Sequence, residues 1–248
     1  MKWLFLLVLC AVAIVQGLKE LENPKLFEGD VVLERRQAAA IRMGGFGRAA
    51  NIGRRWPGGV MVMSVHPSLR RNRRAWRAIR QGMWEWMKKS CINFRGRRRG
   101  ERAYVNFVPG RGCSSYVGRT GRRQALTLAR GCWTRGIVAH EIGHALGLWH
   151  EQSRPDRDRY VRILWQNIQP RAKHNFRKLG RKVINSLGFR YDYYSVMHYG
   201  PKAFSRNRRP TIVPKRRGVR LRRTPVRVSR IDKEQMKRMY RKPRRCRG

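Results

Sequence analysis

The chain has 248 residues, 59 Lys+Arg against 14 Asp+Glu, 41% apolar residues and a mean hydropathy of -0.66. These figures exclude a multi-span membrane protein and a collagen-like or Pro/Gly-dominated chain, and 10% aromatics with 8 Trp are too many for a disordered tail. The formal charge of +45 is unevenly spread: residues 1–36 carry five basic and five acidic side chains, so the whole excess lies after Arg36. Such an excess implies either a solvated Arg-rich surface or attraction to a polyanion such as an acidic glycan or matrix; no nucleic-acid role is expected.

Residues 3–15, WLFLLVLCAVAIV, follow Lys2 as an apolar run of 13. That is too short for a membrane span of ~20 helical residues but suits the core of a signal peptide, with cleavage near Gly17. The expected product is secreted and extracellular, with no membrane span. Residues 18–36 are close to neutral and end in the dibasic pair Arg35-Arg36, as in a pro-segment, here 18–37, with a trypsin-like or furin-like processing point. Its boundary extends at most to about residue 50, and residues 38–248 form the main domain. Once Cys10 leaves with the leader, Cys91, Cys113, Cys132 and Cys246 remain. In an oxidising compartment they imply two disulfides in one of three connectivities.

VMVMSV (60–65), AYVNFV (103–108) and ALTLA (125–129) read as strands. Between the first two, RAWRAIRQGMWEWMKKS (74–90) places Trp76, Ile79, Met83, Trp86 and Met87 on one helical stripe, a core face laid against a sheet. A second helix is predicted over about 134–146. Periodicity then weakens until Ser229 and Asp232 offer a capping pair for a last helix through Tyr240.

From His140 the chain reads HEIGHALGLWHEQSRPDRD, which contains H-E-x-x-H-x-x-G-x-x-H in full. On a helix His140 and His144 share one face and reach one ion; Glu141 lies beside them, placed to move a proton without itself binding metal. Gly147 ends the helix in the left-handed conformation and returns His150 to the same ion. Three neutral imidazoles leave a fourth position open, the mark of a catalytic rather than a structural Zn2+ site with one ion per chain. Chance registration of these five residues has odds of roughly one in a hundred thousand. His66, His174 and His198 lie outside the spacing and are expected to be surface or hydrogen-bonded structural residues.

The eleven-residue motif is that of the metzincins, and HEQSRPDRD with the downstream YDYYSVMHYG resembles the astacin family of zinc metalloendopeptidases, in its minimal, hatching-enzyme-like form. RWPGGV (55–60), CINF (91–94), GCSSYVGR (112–119), GCWTRGIVAHE (131–141) and HNF (174–176) extend the likeness from about Trp56 to Cys246. The resemblance implies an α+β fold: a two-lobed catalytic domain with a twisted, mostly parallel sheet and helices in the N-terminal lobe, and an irregular C-terminal lobe with a terminal helix.

It also implies roles residue by residue. Met197 is the Met-turn beneath the histidines, and Tyr199 is the phenol that ligates zinc at rest and swings to the oxyanion. Glu151 meets the new amino terminus, expected among Ala38, Ala39 and Ala40, with Ala49 or Ala50 second. In FEGD (27–30), Asp30 is the zymogen switch that takes the open position on the metal. The implied disulfides are Cys91 with Cys246 and Cys113 with Cys132. The resemblance also places basic groups at the subsite after the scissile bond, but the segments around Arg171 and from Arg217 to Arg227 depart from the family pattern and no residue is carried over. The substrate is a protein or peptide, with egg envelope or matrix the expected setting; the alternative is a polyanion-binding basic protein with a vestigial protease site.

Overall fold

Six strands, β1 (Val31–Val32), β2 (Val60–Val65), β3 (Asn93–Gly96), β4 (Tyr104–Val108), β5 (Cys113–Tyr116) and β6 (Arg123–Leu128), join in one sheet ordered β1-β5-β6-β4-β2-β3. This is a computed structural model, and it describes residues 26–43, 55–88, 90–181 and 183–240. Every pairing is parallel except β5 with β6. Parallel strands need cover on their faces, and their inward residues Met61, Val105, Phe107, Leu126 and Leu128 are buried in one cluster.

Upstream of most of this sheet, Arg35-Arg36 opens a helix, α1 (Arg35–Arg42), that also contains Ala38, Ala39 and Ala40. Its Gln37 donates to the Val117 carbonyl at 2.9 Å. The Cys113–Cys132 disulfide is formed. The apolar run 3–15 with Gly17, the second choice of termini at Ala49 and Ala50, and Cys246, hence its pairing with Cys91, lie outside the described residues. Among those described, no helix is long and apolar enough to cross a membrane.

Helices α2 (Pro67–Arg71), α3 (Arg73–Met87) and α4 (Arg135–Leu146) supply cover for the sheet. Asn72 caps α3 by accepting from the Ala75 amide at 3.1 Å, and Thr134 caps α4 by accepting from Ile137 at 3.3 Å. The predicted stripe on α3 is only partly realised. Ile79 and Trp86 are fully buried, while Trp76 and Met83 pack at the edge of the core. Met87 is 44% exposed, a correction with a plain cause: the helix touches α4 through its small residues, so the buried face turns toward Ala75, Ala78 and Gly82. A Cβ on Gly82 would stand 2.7 Å from the Val138 side chain and 3.0 Å from the Ala139 amide.

Helix α4 is buried on all sides from Gly136 onward. Trp86 Nε1 donates to the Ala139 carbonyl at 2.7 Å, Trp56 Nε1 to Ala145 at 2.9 Å and the Tyr240 hydroxyl to Leu146 at 2.8 Å, so three distant aromatic residues fix its axis. Gly136 abuts the lower lobe: a Cβ there would collide with the Pro225 carbonyl oxygen. Alanine would gain ~1 kcal/mol of helix propensity, but overpacking against a backbone atom that cannot swing aside costs ~1–3 kcal/mol. Gly136→Ala should therefore lower the urea midpoint, and a raised midpoint would show that the contact is loose.

The C-terminal lobe is mostly short 3-10 turns, as expected, with one addition: β7 (Val161–Ile163) and β8 (Ile212–Pro214) form an antiparallel pair. It has its own cluster, including Phe176, Tyr191, Phe204 and Ile212. Helix α5 (Arg230–Tyr240) starts at the predicted pair, with Ser229 Oγ accepting from the Asp232 amide at 2.9 Å and Asp232 Oδ2 from the Ser229 amide at 2.9 Å.

Candidate metal centre

The last two turns of α4 carry His140 and His144, and Gly147, at φ 111°, turns the chain so that His150 comes back beside them. Each imidazole is oriented by its other nitrogen. His140 Nδ1 donates to the Val196 carbonyl at 2.7 Å and His144 Nδ1 to the Leu148 carbonyl at 2.9 Å. With those protons spent, the Nε2 lone pairs face one point. His140 Nε2 lies 3.2 Å from both His144 Nε2 and His150 Nε2.

Asp30 completes the figure, its Oδ2 at 3.0 Å from His140 Nε2 and 3.3 Å from His150 Nε2, and its Oδ1 at 3.7 Å from His144 Nε2. Tetrahedral zinc with bonds of ~2.0–2.1 Å has donor-to-donor edges of about 3.3 Å, so these four side chains have the spacing and the donor chemistry of a zinc site. All four candidate ligand atoms lie within 4.8 Å of one another. Glu141, 1% exposed, has its Oε2 buried with no hydrogen-bond partner among the described residues, as has Asp30 Oδ1.

Electrostatics agree with a cation here. Burial opposes charge on Asp30, yet His150 and the neighbouring His140 and His144 outweigh it and hold the carboxyl well below its usual range. Burial likewise depresses His150, but Asp30 and Glu28 raise it to about 10. His144, dominated by burial, falls to about 4, and burial together with Asp30 pushes Glu141 well up. The pocket thus attracts positive charge, and a bound divalent ion would invert this local order.

Asp30 is delivered by the segment Phe27–Val32. β1 runs parallel to β5 with Val31 opposite Ser115, and the Ser115 amide donates to the Asp30 carbonyl at 3.0 Å. Before it, Glu28 and Gly29 take positive φ of 49° and 78°. Glycine is required at the second, since a Cβ would stand 2.6 Å from the Phe204 ring. Glu28 is the functional residue that sequence reasoning missed. It is 1% exposed, accepts from His150 Nδ1 at 2.6 Å and from Ser153 Oγ, and its carbonyl accepts from the Tyr199 hydroxyl. Nothing in the motif marks it; only the left-handed turn aims it past Asp30 at the third histidine.

Beneath the histidines Met197 is 1% exposed, and a Cβ on Gly143 would stand 2.6 Å from its sulfur, so the thioether lies against the zinc helix, where the resemblance puts the Met-turn. Asp232 holds that turn, accepting from Ser195 Oγ at 2.6 Å and the Val196 amide at 2.8 Å. The neighbouring His198 is structural: Nδ1 donates to the Tyr199 carbonyl at 2.7 Å, Nε2 accepts from the Tyr191 hydroxyl at 2.7 Å, and burial lowers it to about 4. His66 accepts from Ser68 at the exposed start of α2. Glu151 is buried, its Oε1 accepting from Arg154 Nη1 at 2.9 Å and the Asp192 amide at 2.8 Å. Burial raises it to about 8 against the pull of Arg154. Of the basic segments, Arg171 is exposed, whereas Arg222 and Arg227 line a shallow pocket with Tyr199.

Comparison with known proteins agrees with this geometry. The family model described as Astacin, a peptidase family, matches residues 48–241. Zinc metalloproteinase nas-4 of Caenorhabditis elegans is 36% identical over 92% of this chain and 73% of its own length. For nas-15 of the same organism the figures are 37%, 86% and 39%, so the chain spans about two fifths of that relative. Among solved structures, the medaka (Oryzias latipes) hatching enzyme zinc-protease, high choriolytic enzyme 1, superposes with a TM-score of 0.68 at 34% identity, over 78% of this chain and 96% of the other. The four-cornered donor set, the buried Glu141 and these matches converge: the chain belongs to the astacin family of zinc metalloendopeptidases, which use one zinc ion.

Proposed function

We propose that the chain is a secreted zymogen of a zinc-dependent endopeptidase that hydrolyses peptide bonds in extracellular proteins, with egg envelope or matrix as the setting suggested by its likeness to the medaka hatching enzyme. The observation that carries this is the convergence of three Nε2 lone pairs and a pro-segment carboxylate beside a buried, unpartnered Glu141. Residues 1–17 are the leader, 18–37 the pro-segment and 38–248 the catalytic domain. His140, His144 and His150 hold the metal. When bound, zinc polarises the scissile carbonyl and lowers the pKa of a coordinated water to ~7.

Glu141, buried beside the histidines, is the side chain that would accept a proton from the attacking water and return it to the leaving amine. The Tyr199 hydroxyl, occupied by the Glu28 carbonyl in the precursor, is released by processing to donate to the developing oxyanion. Until then Asp30 would serve with the three histidines as a ligand and so hold the site closed. After a cut near Arg35-Arg36, Glu151 is the acceptor for the new ammonium group, and Arg154 already shows that the pocket accommodates a cation. Arg222 and Arg227, beside Tyr199, favour acidic side chains next to the scissile bond. The extracellular setting and the charge make an acidic glycan or matrix polyanion a second partner. A vestigial protease site is disfavoured because Glu141 and Tyr199 both stand in place around the complete ligand set.

Cleavage of a quenched-fluorescent peptide library by the processed protein, with and without 1,10-phenanthroline, tests the reading. Cleavage abolished by the chelator and restored by zinc is expected. No cleavage by zinc-loaded, correctly trimmed protein would sink it.

A further inference from the structure

Helix α3 turns one face to solvent, and that face carries Arg73, Arg74, Arg77 and Arg80, prolonged by Arg70 on α2; all five are exposed. Among the described residues none of them has a carboxylate within ion-pair distance. The one acid on α3, Glu85, points inward, 3.5 Å from Arg135 on α4. This placement works against the helix. Like charges three and four residues apart repel along one face, and Arg73 and Arg74 sit in the first turn, where the helix dipole disfavours cations. A bound polyanion would relieve both penalties at once.

The far end of the same face is different in kind. Trp84 is 51% exposed, with Lys88 Nζ 4.7 Å above its ring, and Met87 beside them is 44% exposed. From Arg73 to Lys88 the strip runs about 22 Å along the axis. It is therefore a straight row of guanidinium forks, whose geometry suits a tetrahedral oxyanion bidentately, followed by an aromatic platform next to an ammonium group.

We propose that this face of α3 is a docking strip for a linear sulfated polysaccharide, with the arginines on successive sulfates and Trp84 against the apolar face of a sugar ring. The choice of an extracellular glycan rests on the reading of the chain as secreted. The buried face of α3 packs on α4, the helix that carries His140 and His144, and the strip is on the opposite, solvent face, so binding concentrates the enzyme on a charged matrix without entering the cleft.

The test compares the full chain with R73Q/R74Q/R77Q/R80Q and with a matched removal of charge on the C-terminal lobe, R206Q/R208Q/R209Q/R216Q, for binding to heparin, desulfated heparin and duplex DNA at about 0.15 M salt. The strip variant should weaken heparin binding about tenfold or more and the matched variant less than about threefold, while DNA, held by diffuse charge, should respond equally to both. Cleavage of small peptides should be unchanged in the strip variant. Equal loss of heparin binding in both variants, or an equal preference of the strip for DNA, overturns the proposal. Wild-type protein provides a readout independent of mutant folding: heparin should protect Arg73, Arg77 and Arg80 from phenylglyoxal, and unprotected arginines there would also overturn it. Retention inside cells with an uncleaved leader would instead refute secretion and leave the heparin result standing.

Discussion

Glu141→Ala should bind zinc with the same stoichiometry as the parent and cleave peptides ~10²–10⁴-fold more slowly, the range that a positioned general base contributes. The two halves of this result come from different parts of the geometry. Metal retention follows because the expected ligand atoms belong to His140, His144 and His150, whose orientation is set by hydrogen bonds to the Val196 and Leu148 carbonyls and to Glu28, not to Glu141. Loss of turnover follows because Glu141 Oε2 is buried and has no hydrogen-bond partner among the described residues, which leaves it free to take a proton in the reaction. Zinc content measured on the same samples separates the outcomes. Parent-like turnover with full zinc would remove Glu141 from the mechanism, whereas loss of zinc would make it a structural support of the site.

A second large effect is expected at the latch. In a chain made uncleavable by R35Q/R36Q, Asp30→Ala should release peptide cleavage that the parent precursor lacks, and adding Glu28→Ala should raise it further. Hydrogen bonds to charged groups contribute ~1.5–3 kcal/mol each, so each substitution should raise the active fraction by about tenfold or more. Asp30 acts on the Nε2 side of the histidines, at 3.0 Å from His140, and Glu28 on the Nδ1 side of His150 at 2.6 Å. They are separate holds on one site. Loss of Glu28 also removes the acceptor that orients His150, and such losses weaken metal binding by ~10–100-fold, so zinc affinity should be followed with activity. If neither substitution yields cleavage in zinc-saturated protein, the segment Phe27–Val32 does not enforce latency through these carboxylates.

The helix that carries His140 and His144, the three histidines with Glu141, the strands β2, β4 and β6 and the start of α5 could all be read from local patterns. Each depends on neighbours within a few residues: a fixed ligand spacing, a two-residue alternation, a capping pair. The exposure of Met87 could not, because which face of α3 is buried depends on its packing against α4, whose residues are distant in sequence, 53 positions in the contact of Trp86 with Ala139. The β7–β8 pair was hidden for a similar reason, since its partners are separated by the whole lower lobe.

At the site itself, the motif determined that His140, His144 and His150 converge on one point with Glu141 beside them, because the residues concerned lie within eleven positions and a helix with a left-handed turn at Gly147 brings them together. What only the tertiary structure decided is how that centre is closed. Glu28 reaches His150 across 122 residues and the Tyr199 hydroxyl reaches the Glu28 carbonyl across 171. Asp232 likewise steadies the Met-turn from α5. No local rule anticipates these contacts, because they exist only once β1 has paired with β5 and a left-handed turn at Glu28 and Gly29 has aimed the chain into the cleft.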